Sequence, residues 1–572
     1  MATLVILTVT FNTIYNLASF PSYFYDEGVY IARALALAQW GELYESSTYI
    51  DHPPLGWLIL SSLFQIIDFP NSVVNPSIAP DLKEVDIPAL FLIPRLLVVP
   101  FIVTSAVLVY RISCIFYNGN KHYALLSLVS YSLIPAMWPF RGVLIDTIMV
   151  TFLLLSLYIL VMRQTANRSS LPFHDSAARQ PRDIKARKNG LHLYVWIFIS
   201  GSLFGAALLV KLTTIFFLPA LIVFVLFVNS KQSKNVNFEL NNRPLRSNTH
   251  NQDGDDLVVR PALALVNFRN TLLRMAVWGV PIALATLCWV LLIAYFGYQL
   301  EALIQTQLWQ ITRPSSLPFG IVIPLLFVVS PFGFVVGFYG LARSLIDRGT
   351  IKWSTLVIPY LIFLLRGGTI NFQHIIPLTP MFILFTGRHL YLILCWLARL
   401  FSPKIGIRSP GADSNLIVVR IVPFLMVLSI AITILLASFD AAESDRDAIQ
   451  YLILELPQNA TLVADPQYEW IINHYRPDVI VTDYFTLNFT TPVPNSLFLA
   501  ERPIIGDYEK GYNQSYVIFD KSCLIKQFRN DPSVSYHPFN FFTEEQRWWN
   551  VNVRHYTHEN ACTDNETVQN FG

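Results

Sequence analysis

Tyr25-Asp26-Glu27-Gly28 places two adjacent carboxylates just after the first apolar segment of this 572-residue chain, and Asp51-His52-Pro53-Pro54-Leu55 follows soon after. Ionised side chains are expensive to bury where a chain leaves a bilayer, so they either mark the wet end of a span or belong to a site. Three later stretches carry groups that could share such a site. They are Arg141-Gly-Val-Leu-Ile-Asp146, Lys211 within Leu209-Val210-Lys211-Leu212-Thr213, and the run from Arg366 through His374 to Pro377 and Pro380. Each has a plainer explanation, a charge reaching back to the interface or a helix cap. Together they offer acids (Asp26, Glu27, Asp51, Asp146) and cations (His52, Arg141, Lys211, Arg366, His374). A base beside fixed cations suits a reaction on an anionic lipid headgroup. Asp51, His52 and Asp146 form an alternative set for a divalent metal, since oxygen and imidazole ligands suit Zn²⁺ or Mn²⁺, although their spacing is not that of a tight metal motif.

The elements that must position these groups are membrane helices. A chain that is 53% hydrophobic and only 14% charged is not a soluble globular protein. Apolar runs long enough for a hydrocarbon core of about 30 Å recur along most of it. A net charge of +2 gives no reason to expect a nucleic-acid partner. Basic residues gather in the loops 163–188 and 229–274, which places those loops in the cytoplasm. Alternating from there gives about eleven spans: 2–18, 89–112, 122–139, 146–161, two between 193 and 228, 275–296, 321–345, 356–365, 375–397 and 416–437. The N-terminus is then cytoplasmic, and every acid and cation named above falls on the outer face. The chain start lacks a basic n-region and reads as a span, not a cleaved signal peptide. In the first external loop, 29–44 predicts an amphipathic helix along the interface, and the apolar stretch 55–67 is short for a full span.

From Asp440 the composition changes, dividing the chain into a membrane part, 1–439, and an external part, 440–572. Helices are predicted over 447–456, 468–474 and 523–528, and strands over 460–464, 479–482 and 516–519. That alternation suggests a small α/β domain. No glycine-rich phosphate loop follows its strands, which argues against nucleotide binding. Of the five cysteines, Cys114, Cys288 and Cys395 lie in or beside apolar spans as packing residues. Cys523 and Cys562 are the pair in the external part, where a disulfide between them is permitted. Sequons begin at Asn459, Asn488, Asn513 and Asn565, on the same side.

The order of motifs resembles a known family. An Asp-Glu pair after the first span, a His-Pro-Pro-Leu turn, an Arg…Asp step, a later lysine and a late His…Pro…Pro segment look like the polyprenyl-phosphate-sugar glycosyltransferases. These include the protein O-mannosyltransferases and the bacterial aminoarabinose transferases. The likeness in layout extends over nearly the whole chain. His52 stands where the aminoarabinose branch often has lysine, Leu212-Thr213 replaces a usual Gly-Pro, and β-trefoil insertions are absent. The resemblance implies a polytopic α-helical fold in a prokaryotic cell membrane, a polyprenyl- or dolichyl-phosphate sugar as donor, and an acceptor bearing a hydroxyl. It implies inversion by one displacement, with Asp26 as general base and Glu27 positioning the acceptor or serving structure. Lys211, Arg366, His374 and His52 would stabilise the leaving phosphate, while Asp51, Arg141 and Asp146 would line the cavity or bind the sugar. Two other classes are an oligosaccharyltransferase, hinted at by Trp548-Trp549-Asn550, and a transporter, for which no internal repeat is evident.

Overall fold

The computed structural model describes residues 1–43, 50, 52–73, 86–133, 141–169, 182–227, 255–312, 331–347, 350–365, 372–401, 413–438, 440–482, 496–501, 518, 522–529 and 551–557. The N-terminal part is helical. Its first eight helices are α1 (Ala2–Ile14), α2 (Tyr25–Trp40), α3 (Leu55–Ile66), α4 (Ile87–Phe116), α5 (Lys121–Ser132), α6 (Ile145–Ser169), α7 (Arg182–Val210) and α8 (Leu218–Phe227). Among the described residues, four stretches are long and apolar enough to cross a membrane: Ile87–Phe116, Ile145–Arg163, His192–Val210 and Phe268–Tyr295. Shorter apolar helices, among them α1 and α3, accompany them.

Local chemistry sets several boundaries that matter for the site. Asp86 caps α4 by accepting from the Ala89 N–H at 3.1 Å, with Pro88 in the first turn, where a missing N–H goes unnoticed. α2 starts at Tyr25 with Asp26 and Glu27 in its first turn, where carboxylates complement the positive end of the helix dipole. It stops at Gly41, whose φ of 71° is the left-handed conformation glycine adopts without a Cβ clash. α2 and α3 pack as a hairpin in which the Arg33 guanidinium stacks 5.0 Å from the Trp57 ring.

One expectation about the helices is corrected. The stretch 375–397 is not one continuous helix: a 3-10 turn (Phe372–Ile375), a short helix (Leu378–Ile383) and a further helix (Thr386–Phe401) follow in sequence. Pro377 and Pro380, which lack an N–H for the ladder, explain why this backbone does not run on as one helix. A helix over Leu300–Thr312 lies between the stretches 275–296 and 321–345 expected to span.

Among its described residues the C-terminal part holds a five-stranded sheet of order β2-β1-β3-β5-β4, with β1 (Thr461–Ala464), β2 (Ile480–Thr482), β3 (Ser496–Glu501), β4 (Cys523–Phe528) and β5 (Val551–Thr557). β1 pairs in parallel with β2 and β3, while β5 runs antiparallel to β3 and β4. The helix Pro466–Tyr475 makes the crossover that a parallel β1–β2 pair requires. The helices Glu443–Glu455 and Pro466–Tyr475 and the strands at 461 and 480 match the sequence expectations closely. Residues 523–528 do not: the expected helix is strand β4, paired with β5 around an irregularity at Leu524/Lys526. The strand expected over 516–519 lies almost entirely outside the described residues.

Sheet part and helical part share one core. Trp470 packs its ring 6.0 Å from Phe69 and 5.8 Å from Phe91 of α4. At Gly28 the backbone of α2 meets the start of the Pro466–Tyr475 helix so closely that a Cβ would lie 2.2 Å from the Gln467 nitrogen. The carboxylate-bearing helix is thus wedged between the membrane helices and the C-terminal part.

Candidate active site

Glu27 is held by the Arg95 guanidinium and by the backbone N–H groups of Val143 and Phe24. Arg95 of α4 donates from Nε to its Oε1 and from Nη2 to its Oε2, each at 2.8 Å, and both side chains are fully buried. The Val143 N–H also donates to Oε1, at 3.0 Å, tying the stretch before α6 to the same carboxylate. Arg95 spends its remaining donors on backbone carbonyls: Nη1 on Leu17 (2.8 Å) and Pro21 (3.0 Å), Nη2 on Ser22 (3.3 Å). One guanidinium therefore fixes the turn that enters α2. Of the two sequence readings of Glu27, positioning an acceptor or serving structure, this geometry favours the second.

A second tie comes from the C-terminal part. Asp445, fully buried, accepts the Tyr23 N–H at 3.2 Å through Oδ2 and the Tyr468 hydroxyl at 2.6 Å through Oδ1. The Arg95 guanidinium lies 5.3 Å from the Tyr23 ring centroid. Burial pushes the Tyr23 phenol well above its ordinary range, so it stays neutral.

Asp26, one residue before Glu27, is free of that clamp. Its Oδ2 is buried and accepts no hydrogen bond. Burial raises the carboxyl above the usual carboxylate range, and Asp146 adds to this; Lys211, a hydrogen bond from Gln373, and His52 pull it back. Such an environment makes a stronger base than a solvated aspartate.

Lys211 and Asp146 form the next pair, Nζ to Oδ2 at 2.7 Å, with both side chains buried. Lys211 lies where α7 ends and the 3-10 turn Leu212–Phe217 begins, and its extended backbone starts that turn. Asp146 stands in the first turn of α6, and its Oδ1 accepts no hydrogen bond. The structure thus gathers Asp26, His52, Asp146, Lys211 and Gln373 into one electrostatic neighbourhood. His52 sits at the foot of α3 with its ring 6.2 Å from Tyr30 of α2. The segment before it is braced by the Leu300–Thr312 helix, where the Thr306 hydroxyl accepts the Ile50 N–H and Gln307 donates to the Ile50 carbonyl.

The other sequence candidates divide. Arg141 is buried, donates to the Tyr15 carbonyl and stacks 5.4 Å from the Phe20 ring, so it braces the end of α1. Burial, with Arg95 nearby, pushes its guanidinium down to about 9. His374 follows Gln373 directly, in the 3-10 turn, with its ring 6.5 Å from Phe363. Asp51, Arg366 and Cys562 lie outside the described residues, as do Trp548-Trp549-Asn550 and the sequons at Asn488, Asn513 and Asn565. Cys523 is engaged in a disulfide, while Cys114, Cys288 and Cys395 carry free thiols. Among the described residues no three His, Cys, Asp or Glu side chains converge as a metal site, and the Asp146 Oδ2 of the alternative metal set is committed to Lys211.

Two residues escaped the sequence reading. Arg95 had a signal, a lone arginine in an apolar span, which calls for a buried partner by the same rule that singled out Asp26. Gln373 had none, because a neutral amide between larger motifs carries no charge pattern.

No protein-family model matches the sequence, and no curated protein matches it. Solved structures do. The chain is similar to ArnT from Cupriavidus metallidurans bound to undecaprenyl phosphate, with a TM-score of 0.53 and 12% identity over 98% of this chain and 99% of that one. The apo form of ArnT matches with a TM-score of 0.52 and 13% identity, covering 97% of both chains. The Archaeoglobus fulgidus oligosaccharyltransferase, tethered to an acceptor peptide containing an NVT sequon, matches with a TM-score of 0.51 and 11% identity over 93% of this chain and 72% of that one. At such identities the likeness is one of fold, and it extends over nearly the whole chain.

Proposed function

We propose that the chain is an inverting membrane glycosyltransferase that moves a sugar from a polyprenyl-phosphate donor to an acceptor hydroxyl. The observation that carries this reading is the bare Oδ2 of Asp26, buried beside the Lys211–Asp146 pair on a helix whose other carboxylate is fully anchored. The fold shared with a structure bound to undecaprenyl phosphate supports the donor class.

In the proposed step the acceptor oxygen attacks the anomeric carbon. The new C–O bond forms as the anomeric bond to the phosphate oxygen breaks, and the acceptor proton passes to Asp26. The lipid phosphate leaves with the bonding pair, stabilised by Lys211, with His52, Arg366 and His374 as further cations. Arg95 and Glu27 contribute by holding the Asp26 turn rigid. Attack from the face opposite the phosphate inverts the centre and needs no covalent intermediate, unlike the two-step retaining route. The membrane arrangement proposed with it has about eleven spans, a cytoplasmic N-terminus, and residues 440–572 as an external domain over the site.

The test uses membranes bearing the protein and polyprenyl-phosphate monosaccharides with a labelled headgroup. Label moves to an acceptor with wild type and fails to move with Asp26→Asn. Equal transfer by both removes Asp26 as the base. Transfer of a whole glycan to asparagine, with none from monosaccharide donors, would favour the oligosaccharyltransferase reading instead.

A further inference from the structure

One peptide unit at the entry to α2 is gripped from opposite sides. The Ser22 carbonyl accepts from Nη2 of Arg95 at 3.3 Å, and the Tyr23 N–H donates to Oδ2 of Asp445 at 3.2 Å. A trans peptide points its C=O and N–H in opposite directions, so this plane is fixed between α4 and the C-terminal part. Tyr23 immediately precedes Phe24, the N-cap of α2, and Asp26 follows in the first turn. Rotating that peptide unit therefore rotates the turn that carries Asp26.

The other oxygen of Asp445 leads to a second point on the same helix. Its Oδ1 accepts the Tyr468 hydroxyl at 2.6 Å, and Tyr468 belongs to the Pro466–Tyr475 helix, whose start abuts Gly28. Tyr23 and Gly28 flank Asp26, so one buried carboxylate joins both grips. Burying that carboxylate is costly, and an apolar residue would fill the space without the cost. What an apolar residue lacks is two oxygens that accept from two directions.

Resting on the glycosyl-transfer reading above, we infer that Asp445 is a positioning residue for transfer: it locks the C-terminal part to the entry of α2 and so sets the aim of Asp26. The C-terminal part is then a component of the active site, acting through a side chain that does not touch substrate.

The experiment uses the full chain in membranes, with label transfer from a polyprenyl-phosphate sugar, thermal unfolding and amide hydrogen exchange read on the same samples. Asp445→Ala removes both acceptors. It is expected to lower kcat by roughly tenfold or more with KM for the donor within about threefold, since misaimed groups cost rate and leave donor binding in place. Asp445→Asn keeps an oxygen for the Tyr23 N–H, and the Tyr468 hydroxyl can turn to accept from the new amide. This variant is expected to restore kcat to within about threefold of wild type. Exchange in the peptide carrying Tyr23 is expected to quicken in Asp445→Ala and not in the control. That control is Arg476→Met, at the far end of the Pro466–Tyr475 helix, which loses bonds to the Ile453 and Leu456 carbonyls within the C-terminal part. It should lower Tm and leave kcat within about threefold of wild type.

The inference is overturned if Asp445→Ala keeps wild-type kcat, if Arg476→Met costs as much kcat as Asp445→Ala, or if Asp445→Asn is as slow as Asp445→Ala. Where Asp445→Ala does not fold, Tyr468→Phe decides: losing one of the two bonds should lower kcat several-fold at constant KM, and an unchanged kcat overturns the inference. Failure of the underlying reading looks different, because wild type itself then moves no label.

Discussion

Gly28→Ala separates stability from activity at the point where the C-terminal part touches the reactive helix. The added Cβ would lie 2.2 Å from the Gln467 nitrogen, 2.4 Å from its Cα and 2.5 Å from the Pro466 carbonyl carbon. All three are backbone atoms, so no change of rotamer gives relief. Reaching even 3.4 Å, the near edge of ordinary contact, requires the two helices to part by about 1.2 Å. Alanine is the better helix former by about 0.5–1 kcal/mol, which partly offsets overpacking of about 1–3 kcal/mol. The net loss of stability should therefore be small, on the order of 1 kcal/mol and a few degrees in Tm. Activity has no such compensation. Asp26 rides on the same helix two residues earlier, and a displacement of about 1 Å at reacting groups can reduce rate about 10²-fold.

The assay is label transfer from a polyprenyl-phosphate sugar, read beside thermal unfolding in the same detergent. The expected pattern is a loss in kcat of about 10²-fold with the fold retained. Gln467→Gly in the same background should not rescue, since the atoms in conflict remain. A Gly28→Ala protein with kcat within about threefold of wild type would refute the claim that this contact positions Asp26.

Other outcomes follow from the same geometry. Arg95→Met strands the Glu27 carboxylate in a dry site and should destabilise by about 3–5 kcal/mol in denaturant titration, whereas Arg95→Met with Glu27→Leu should recover much of that loss. Asp26→Asn should lower kcat by about 10²–10⁴-fold with little change in Tm, as expected for loss of a general base and not of a structural group. As the proposed base Asp26 must be ionised, and burial raises its pKa, so transfer should fall off as pH drops through a value above the ordinary carboxylate range. Asp146→Asn removes a like charge that raises Asp26, so the acid limb of the pH–rate profile should move to lower pH. A limb that stays put or moves upward would contradict the proximity of the two carboxylates.

Much of the site was legible because charge in an apolar chain is conspicuous. Asp26, Asp146, Lys211 and His52 were each visible as isolated polar groups, and their electrostatic neighbourhood is the structural result. Which partner each would take was not legible. Lys211, expected to face a phosphate, is paired with Asp146 at 2.7 Å, because two groups from α6 and the end of α7 meet only once those helices pack. Arg141 turned toward the end of α1 for a similar reason: the Tyr15 carbonyl there needs a donor once the chain has left its helix. The helix misread at β4 shows a different gap. Cys523, Leu524, Ile525 and Phe528 make a short apolar run that periodicity cannot assign, and pairing along β5 decided it.

The Asp-Glu pair itself makes physical sense as a division of labour. Neighbouring residues on a helix point about 100° apart and do not face each other, so two adjacent carboxylates in one first turn must enter different surroundings. Glu27 turns to Arg95 and the Val143 N–H, where full hydrogen bonding makes its charge tolerable. Asp26 turns to the cluster of Lys211, Gln373 and His52, where one oxygen stays unbonded. The first anchors the helix and the second is the proposed base, and neither could do both. A base held by two strong donors would be too stable to accept a proton, while a base on an unanchored turn would not keep its aim. Exchanging the two acids, Asp26→Glu with Glu27→Asp, tests this directly. The shorter Asp at 27 falls one methylene short of Arg95, and the longer Glu at 26 overreaches the cluster. Transfer should be lost in the exchange even though charge, composition and the adjacency of the pair are all preserved, and retention of wild-type kcat would show that adjacency alone suffices.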